Sequence, residues 1–114
     1  MRGMRVFFIS LTMMLSASYA FAHPPSDIRI DYNEATRILT AIITHPVNDT
    51  KGHYIKRVDV FVSGQKLIEQ KISRQDNGND QAVSYFIPDT NPGDKISVEA
   101  YCSISGKLSK EIKL

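Results

Sequence analysis

Turn-forming residues recur at short intervals after residue 22, and this spacing limits the folds open to the chain more than any other feature of its sequence. Between the turns lie short runs rich in Ile, Val, Tyr and Phe, and none sustains the 3.6-residue period of an amphipathic helix. Seven runs are predicted to form strands: residues 27–32, 36–44, 55–62, 66–73, 82–87, 95–102 and 108–114. Seven short strands in about ninety residues are typical of an immunoglobulin-like antiparallel sandwich, so we expect this all-β fold class.

Three of the connecting segments carry clear turn signals. Ser63-Gly64-Gln65 separates two apolar runs and predicts a hairpin. Residues 88–94 contain two prolines, an Asn and a Gly, so no strand is expected to pass through them. Residues 74–81 are polar and include Asn77-Gly78, which predicts an exposed surface loop.

The first 22 residues have the pattern of a cleaved signal peptide rather than of a folded element. Arg2 and Arg5 accompany an apolar run at residues 6–15, and Ala20-Phe21-Ala22 has the small-x-small form of a cleavage site. The apolar run is too short to span a membrane. We therefore expect residues 1–22 to be removed, and residues 23–114 to form one soluble domain in a bacterial periplasm or an equivalent compartment.

The net charge of the exported domain argues against two classes of partner. The whole chain carries 14 basic and 12 acidic side chains, a formal charge of +2. Arg2 and Arg5 leave with the signal peptide, and the 12 basic and 12 acidic side chains that remain cancel. Because nucleic acids and anionic membranes are bound by basic surfaces, neither is an expected partner.

The chain has one cysteine, Cys102, and is expected in a compartment that oxidises thiols. It cannot form an internal disulfide, so three roles remain: a buried inert thiol, a bond to another chain in a homo-oligomer, or a reactive or metal-binding group. The run that ends at Cys102 alternates cleanly, with Ile96, Val98 and Ala100 on the same face as the cysteine. Cys102 is therefore predicted to point toward the core from the end of a strand, where a site at the rim of the core would open.

Two of the three histidines, His45 and His53, bracket a polar loop between two predicted strands. If each connection between consecutive strands reverses direction, the second strand ends where the third begins, and the sixth strand ends at the same end of the sandwich. His23 precedes the first strand, so it belongs to this end as well. The topology predicts that His23, His45, His53 and Cys102 lie together at one end.

These four side chains have the chemistry of a metal site. Imidazoles and thiolates are the ligands that a borderline metal ion prefers, and loops at the end of a sandwich can hold them around it. The alternative is a solvated loop that happens to contain two histidines, because surface loops are where unpaired histidines normally occur.

With these segments the sequence resembles the ferrous-iron domain of desulfoferrodoxin and neelaredoxin, the superoxide reductases. That domain is an immunoglobulin-like sandwich with a His-Pro-x(n)-His-Tyr-Ile segment and, near its end, a Tyr-Cys-Asn-x-His-Gly segment. The corresponding segments here are His45-Pro46, His53-Tyr54-Ile55 and Tyr101-Cys102-Ser103-Ile104-Ser105-Gly106. The resemblance covers most of residues 45–106.

The resemblance implies a non-haem iron site that reduces superoxide with an electron from a donor that the sequence does not identify. In the family, four histidine nitrogens lie in a plane around the iron, and one cysteine sulfur is the axial ligand opposite the superoxide position. By resemblance, His45 and His53 match two of the equatorial ligands, and Cys102 matches the axial thiolate. His23 is the candidate for the family's first histidine, whereas the histidine three residues after the cysteine is Ser105 here.

Two features keep other interpretations open. Cleavage after Ala22 would give His23 a free α-amino group, and an amine and an imidazole on one residue favour copper. The chain also resembles the Z subunit of the thiosulfate-oxidising sulfur carrier, which has a similar His-Pro segment and is a binding partner rather than a catalyst. The alternative function is therefore a non-catalytic immunoglobulin-like interaction module in which Cys102 is a core thiol.

Overall fold

The structure, a computed structural model, describes residues 23–114. They form seven strands: β1 (Asp27–Asn33), β2 (Ile38–Thr44), β3 (Ile55–Val62), β4 (Gln65–Lys71), β5 (Asp80–Phe86), β6 (Lys95–Cys102) and β7 (Lys107–Lys113). Each predicted strand is present, and the all-β prediction is confirmed. The predicted signal peptide and its cleavage site lie outside the described residues. Within the described part of the chain, no helix has the length and apolarity needed to cross a membrane.

The strands form two antiparallel sheets with a Greek-key arrangement. One sheet has the order β1-β2-β5, and the other has the order β4-β3-β6-β7. Three consecutive pairs, β1–β2, β3–β4 and β6–β7, are hydrogen-bonded neighbours, whereas the chain passes from one sheet to the other after β2, β4 and β5. These crossings make the molecule an immunoglobulin-like sandwich, as predicted.

The hydrophobic core lies between the sheets because the strands bury alternate residues. In β6, Ile96, Val98, Ala100 and Cys102 are buried while the residues between them are partly exposed, as the alternation predicts. The apolar core residues come from both sheets: Ile28, Leu39, Ala41, Ile43, Ile55, Val58, Val60, Val62, Val83, Ile87, Ile96, Val98 and Ala100. Burying an aliphatic side chain stabilises a fold by about 1.5–3 kcal/mol, so this core holds the loops at either end of the sandwich in fixed positions.

The β3–β4 hairpin has the tight turn that its sequence predicts. Val62 pairs with Gln65 across the two-residue loop of Ser63 and Gly64. Both loop residues have positive φ, 46° and 85°. Positive φ at both positions is the type I′ geometry, whose twist matches that of the paired strands.

Three strand ends differ from the prediction by two residues. β2 begins at Ile38 rather than at residue 36, because Asn33 Oδ1 accepts the backbone N–H groups of Ala35 and Thr36 and holds them in a turn. β4 ends at residue 71 rather than at 73, and β5 begins at 80 rather than at 82.

The prediction that residues 74–81 form an exposed loop is wrong for two glutamines. Gln75 is 1% exposed and Gln81 is 6% exposed. The Gln81 side chain accepts the Asp76 N–H and donates to Ala82 O, both at 2.9 Å. The two glutamine side chains therefore turn inward against the end of the sandwich, whereas Arg74, Asp76, Asn77 and Asn79 are exposed as predicted.

Candidate metal centre

The β2–β3 loop and the segment before β1 bring the three histidines to the same end of the sandwich. His45 directly follows β2, and His53 lies two residues before β3. His23 precedes β1 in a segment that is fixed to the end of β2, where the Ser26 N–H donates to Thr44 O at 2.9 Å. The predicted convergence of the histidines is confirmed.

The three imidazole rings pack against one another. Their centroids are 4.9 Å apart for His23 and His45, and 4.8 Å apart for each of the other two pairs. One ring nitrogen from each residue lies within 4.8 Å of the other two. Two nitrogens bound to one ion at about 2.0–2.1 Å are at most about 4.2 Å apart, so a small movement of the rings brings all three within bonding distance of one metal ion.

His45 is the innermost of the three, with no exposed surface. Its Nδ1 is 2.8 Å from Gln75 Oε1, and its Nε2 is 3.3 Å from the carbonyl oxygen of His23. The His23 ring is half-buried, and its Nδ1 is 3.1 Å from Pro24 O. Because a carbonyl oxygen only accepts, His23 Nδ1 donates this bond and its Nε2 keeps a lone pair.

His53 has a buried nitrogen without a hydrogen bond. Among the described residues, the buried side-chain atoms in this condition are His53 Nε2, Arg57 Nε and Asp59 Oδ1. The last two belong to an ion pair, 3.2 Å apart. His53 Nε2 has no such explanation, and an unpartnered buried polar atom is a recurrent mark of an ion-binding or otherwise functional group.

The surroundings of His53 favour its neutral form. Burial lowers the pKa of His53, and so do the neighbouring charges of His45 and then His23, while the nearby His23 backbone acts in the opposite direction. A metal ion binds the neutral imidazole, so a lowered pKa keeps this ligand available to a metal at neutral pH. The donor set and its electrostatics fit a cation bound among the three rings.

Cys102 lies at the histidine end but outside the histidine group. It is 3% exposed and pairs in the sheet with Ile55, two residues beyond His53. Within residues 23–114, the group of ligand atoms close enough to share an ion consists of the three histidines. The sulfur of Cys102 accepts the backbone N–H of Ile104 at 3.4 Å. The predicted position of Cys102 is confirmed, and its role as a ligand stays a prediction.

The loop from β6 to β7 supports the segment that carries His23. Ser105, at the position where the resemblance would expect a histidine, is exposed. Gly106 has a positive φ of 81°, and a Cβ atom added to it would lie 2.7 Å from Pro24 Cβ. Only glycine permits both this backbone conformation and this close approach, so the N-terminal segment can pack directly against Gly106.

Sequence reasoning missed one residue of the site, Gln75. Its Oε1 faces His45 Nδ1, and its backbone N–H donates to Thr50 O at 3.0 Å. The residue lies in a run that is polar throughout. A run without apolar neighbours carries no periodic signal to show which of its members turns inward, so no pattern identifies this glutamine.

Neither a protein-family model nor a curated protein sequence matches this chain. A solved structure that is similar in fold is "Superoxide reductase (1Fe-SOR) from Giardia intestinalis". The match has a TM-score of 0.59 and 17% sequence identity, and it covers 82% of this chain and 99% of that chain. At this identity the similarity concerns the fold, and at that level the resemblance indicated by the His-Tyr-Ile and Tyr-Cys segments is confirmed.

Proposed function

We propose that this protein is an exported metal-binding protein that holds a first-row transition metal ion between His23, His45 and His53. The observation that carries the proposal is the approach of three imidazole nitrogens to within 4.8 Å of one another. Protonated rings at this spacing repel one another, whereas three neutral imidazoles and an open position are a common ligand set for a reactive metal. The partnerless Nε2 of His53 supports the same conclusion.

Iron is the metal that we propose, and superoxide is the proposed substrate. The support is the fold shared with a superoxide reductase, together with the segments around His53 and Cys102 that resemble that family. A ferrous ion held by His23, His45 and His53 would supply one electron to superoxide, and two protons from water would complete hydrogen peroxide, with an external reductant returning the oxidised ion to the ferrous state. His23 and His53 are half-buried, so a small anion from solvent can approach on their side of the centre.

Cys102 is the proposed fourth ligand. Its sulfur lies at the histidine end of the sandwich, and the backbone N–H that it accepts from Ile104 holds it in place there. A thiolate on iron gives a charge-transfer absorption band, which Cys102→Ser would abolish. If the metal-loaded protein has no such band, Cys102 is a core thiol and the centre consists of the histidines alone.

The direct test is metal stoichiometry and affinity of the protein lacking residues 1–22, measured with Fe²⁺, Zn²⁺ and Cu²⁺. One ion per chain is expected. The variant His53→Ala should bind at least about 100-fold more weakly, since the loss of a ligand should exceed the 10–100-fold effect of losing a residue that only supports one. The matched control is Lys51→Ala, an exposed residue of the same loop, which should leave affinity unchanged.

Two outcomes would contradict the proposal at different levels. Absence of metal binding would remove it and leave the interaction-module alternative. Metal binding without faster decay of superoxide in stopped-flow measurements of the iron-loaded protein would retain the metal centre and remove the enzymatic activity.

The sequence before His23 bears on the choice of metal. If cleavage follows Ala22, the α-amino group of His23 becomes a ligand beside its own imidazole, an arrangement that favours copper over iron. A protein that begins at His23 can be compared with one that carries an additional glycine before it, because the glycine turns the amine into an amide and keeps the imidazole. Tighter copper binding by the form beginning at His23 would assign the amine to the centre, and equal affinity would exclude it.

A further inference from the structure

We infer that Gln75 determines which nitrogen of His45 faces the centre, by holding the ring as the tautomer that carries its proton on Nδ1. Gln75 is then a positioning residue that acts through His45. The inference rests on the proposed function only where it names His45 Nε2 as a metal ligand. The tautomer itself is a property of the metal-free protein.

The orientation of the Gln75 amide is fixed by backbone groups whose roles are unambiguous. The Ile55 N–H can only donate, and it lies 3.2 Å from Gln75 Oε1. The carbonyl oxygens of His45 and Asn77 can only accept, and they lie 2.8 and 2.9 Å from Gln75 Nε2. Turning the amide over would place two acceptors and one donor opposite groups of their own kind, so the orientation shown is the one that these contacts allow.

The orientation of the amide decides the tautomer of His45. Gln75 Oε1 is an acceptor and lies 2.8 Å from His45 Nδ1, so Nδ1 must carry the hydrogen. In the neutral ring the lone pair is then on Nε2, which lies 3.3 Å from the carbonyl oxygen of His23. Two acceptors face each other at this position, an arrangement that a metal ion bound to Nε2 would stabilise. Histidines that bind metals commonly donate their other N–H to a carbonyl or carboxylate oxygen in this way.

Gln75 can impose this constraint because it is held rigidly between two loops of the site. Its side chain is buried and its amide makes four hydrogen bonds. Its backbone N–H also donates to Thr50 O, in the loop between His45 and His53. Losing the bond from the Ile55 N–H, or the bond to His45 O, would leave a buried polar group without a partner, so the amide has little freedom to rotate. One glutamine thereby connects the end of β2, the start of β3 and the loop that carries His53.

The test is long-range ¹H–¹⁵N NMR of the imidazoles in the metal-free protein, at a pH where the rings are neutral. His45 should show a protonated Nδ1 and an unprotonated Nε2. Gln75→Met removes the polar contacts of the side chain and keeps its approximate size. In this variant the His45 tautomer should shift toward protonated Nε2. Zn²⁺ affinity should fall by about 10–100-fold, the usual effect of losing a residue that orients a ligand. Gln75→Glu keeps an acceptor opposite Nδ1 and should retain the wild-type tautomer.

Gln81→Met is the matched control. Gln81 is also a buried glutamine of this segment, but its side chain bonds Asp76 and Ala82 rather than a histidine. A general loss of packing would affect both methionine variants, whereas a tautomer shift should occur in Gln75→Met alone. The wild-type spectrum alone tests the tautomer assignment of His45, even if a variant fails to fold.

The outcomes separate this inference from the proposed function. Protonated Nε2 in wild-type His45, or an unchanged tautomer in Gln75→Met, would overturn the inference whatever the protein binds. Protonated Nδ1 in a protein that binds no metal would support the tautomer assignment and overturn the proposed metal centre.

Discussion

The two ends of the sandwich both contain polar side chains that are wholly or partly buried, but they use their hydrogen-bonding atoms differently. At the end away from the histidines, Arg37 Nη1 donates to Thr90 Oγ1 at 2.8 Å, and the Tyr32 hydroxyl donates to Ile87 O at 2.7 Å. The single hydroxyl hydrogen of Tyr32 is used in that bond, so Thr90 donates across the 3.0 Å contact to the tyrosine oxygen. Each donor meets an acceptor, as expected of a network that only stabilises the fold.

At the histidine end, some hydrogen-bonding atoms have no suitable partner. The Gln75 amide has all its partners, but His53 Nε2 has none, and His45 Nε2 faces the carbonyl oxygen of His23. A protein that needed only to close this end of its core could do so with apolar residues or with a complete network. The comparison shows a complete hydrogen-bond network at one end and unmatched atoms at the other, where the proposed metal centre lies, and the experiments below test that difference.

The largest expected effect is stabilisation by metal. At a free metal concentration about 100 times the dissociation constant, the free energy of unfolding should rise by about 2.7 kcal/mol, since the ion binds the native state. His53→Ala, with affinity at least about 100-fold weaker, should gain no more than about 0.4 kcal/mol at the same metal concentration, because the ligand with the unpartnered nitrogen is gone. Chemical denaturation with Zn²⁺ or with a chelator measures both quantities.

A rise of similar size in His53→Ala would contradict the division between the ends, because the ion would then be bound elsewhere. A control variant carries its change at the opposite end of the sandwich. Thr90→Val should start from a lower stability and still gain the full increment from metal, since its side chain lies in the other network.

The second prediction uses two glycines with similar backbones at opposite ends. Gly106 and Gly93 have φ of 81° and 90°, but a Cβ at Gly106 would meet Pro24 whereas a Cβ at Gly93 would meet nothing within 4 Å. Alanine at either position should cost about 1–2 kcal/mol in unfolding free energy, from the left-handed backbone. Only Gly106→Ala should also lower metal affinity, by about tenfold or more, because it displaces the segment that carries His23.

Isothermal titration with Zn²⁺ on both variants checks this pair. Equal affinities would show that the packing of the N-terminal segment against Gly106 has no influence on the metal centre. A loss of metal affinity in Gly93→Ala would indicate that backbone strain at the opposite end also weakens metal binding. The proposed difference between the two ends would then be wrong.

The sequence predicted the strands well because a sandwich is specified by local signals. Alternation in β6 identified its buried face, and the short glycine-containing link Ser63-Gly64-Gln65 predicted a hairpin. Once the strands were placed, reversal of the chain at each connection was enough to bring three histidines to one end. These features depend on the period of two along a strand and on turn chemistry, which are visible in a single sequence.

The details of the site could not be predicted in this way. The burial of Gln75 depends on contacts with His45, Ile55 and Asn77, which come from three different segments. The distinction between Cys102 and the histidines is likewise three-dimensional, because alternation gives the direction of a side chain and not its distance from a ligand group. The resemblance to superoxide reductases added a chemical expectation for Cys102, and geometry alone assigns it no place among the three imidazoles.

The smallest expected effect belongs to the network opposite the histidines. Thr90→Val keeps the size of the side chain and removes the hydroxyl that accepts from Arg37 and donates to Tyr32. Arg37 retains the carbonyl oxygen of Thr90 at 3.3 Å, and Tyr32 retains Ile87 O, so the loss should be about 1 kcal/mol in unfolding free energy. Denaturant titration measures this loss, and metal titration of the same variant should give the wild-type affinity. A weakened metal affinity would show that the two ends are coupled through the core, and that the hydroxyl network contributes to more than stability.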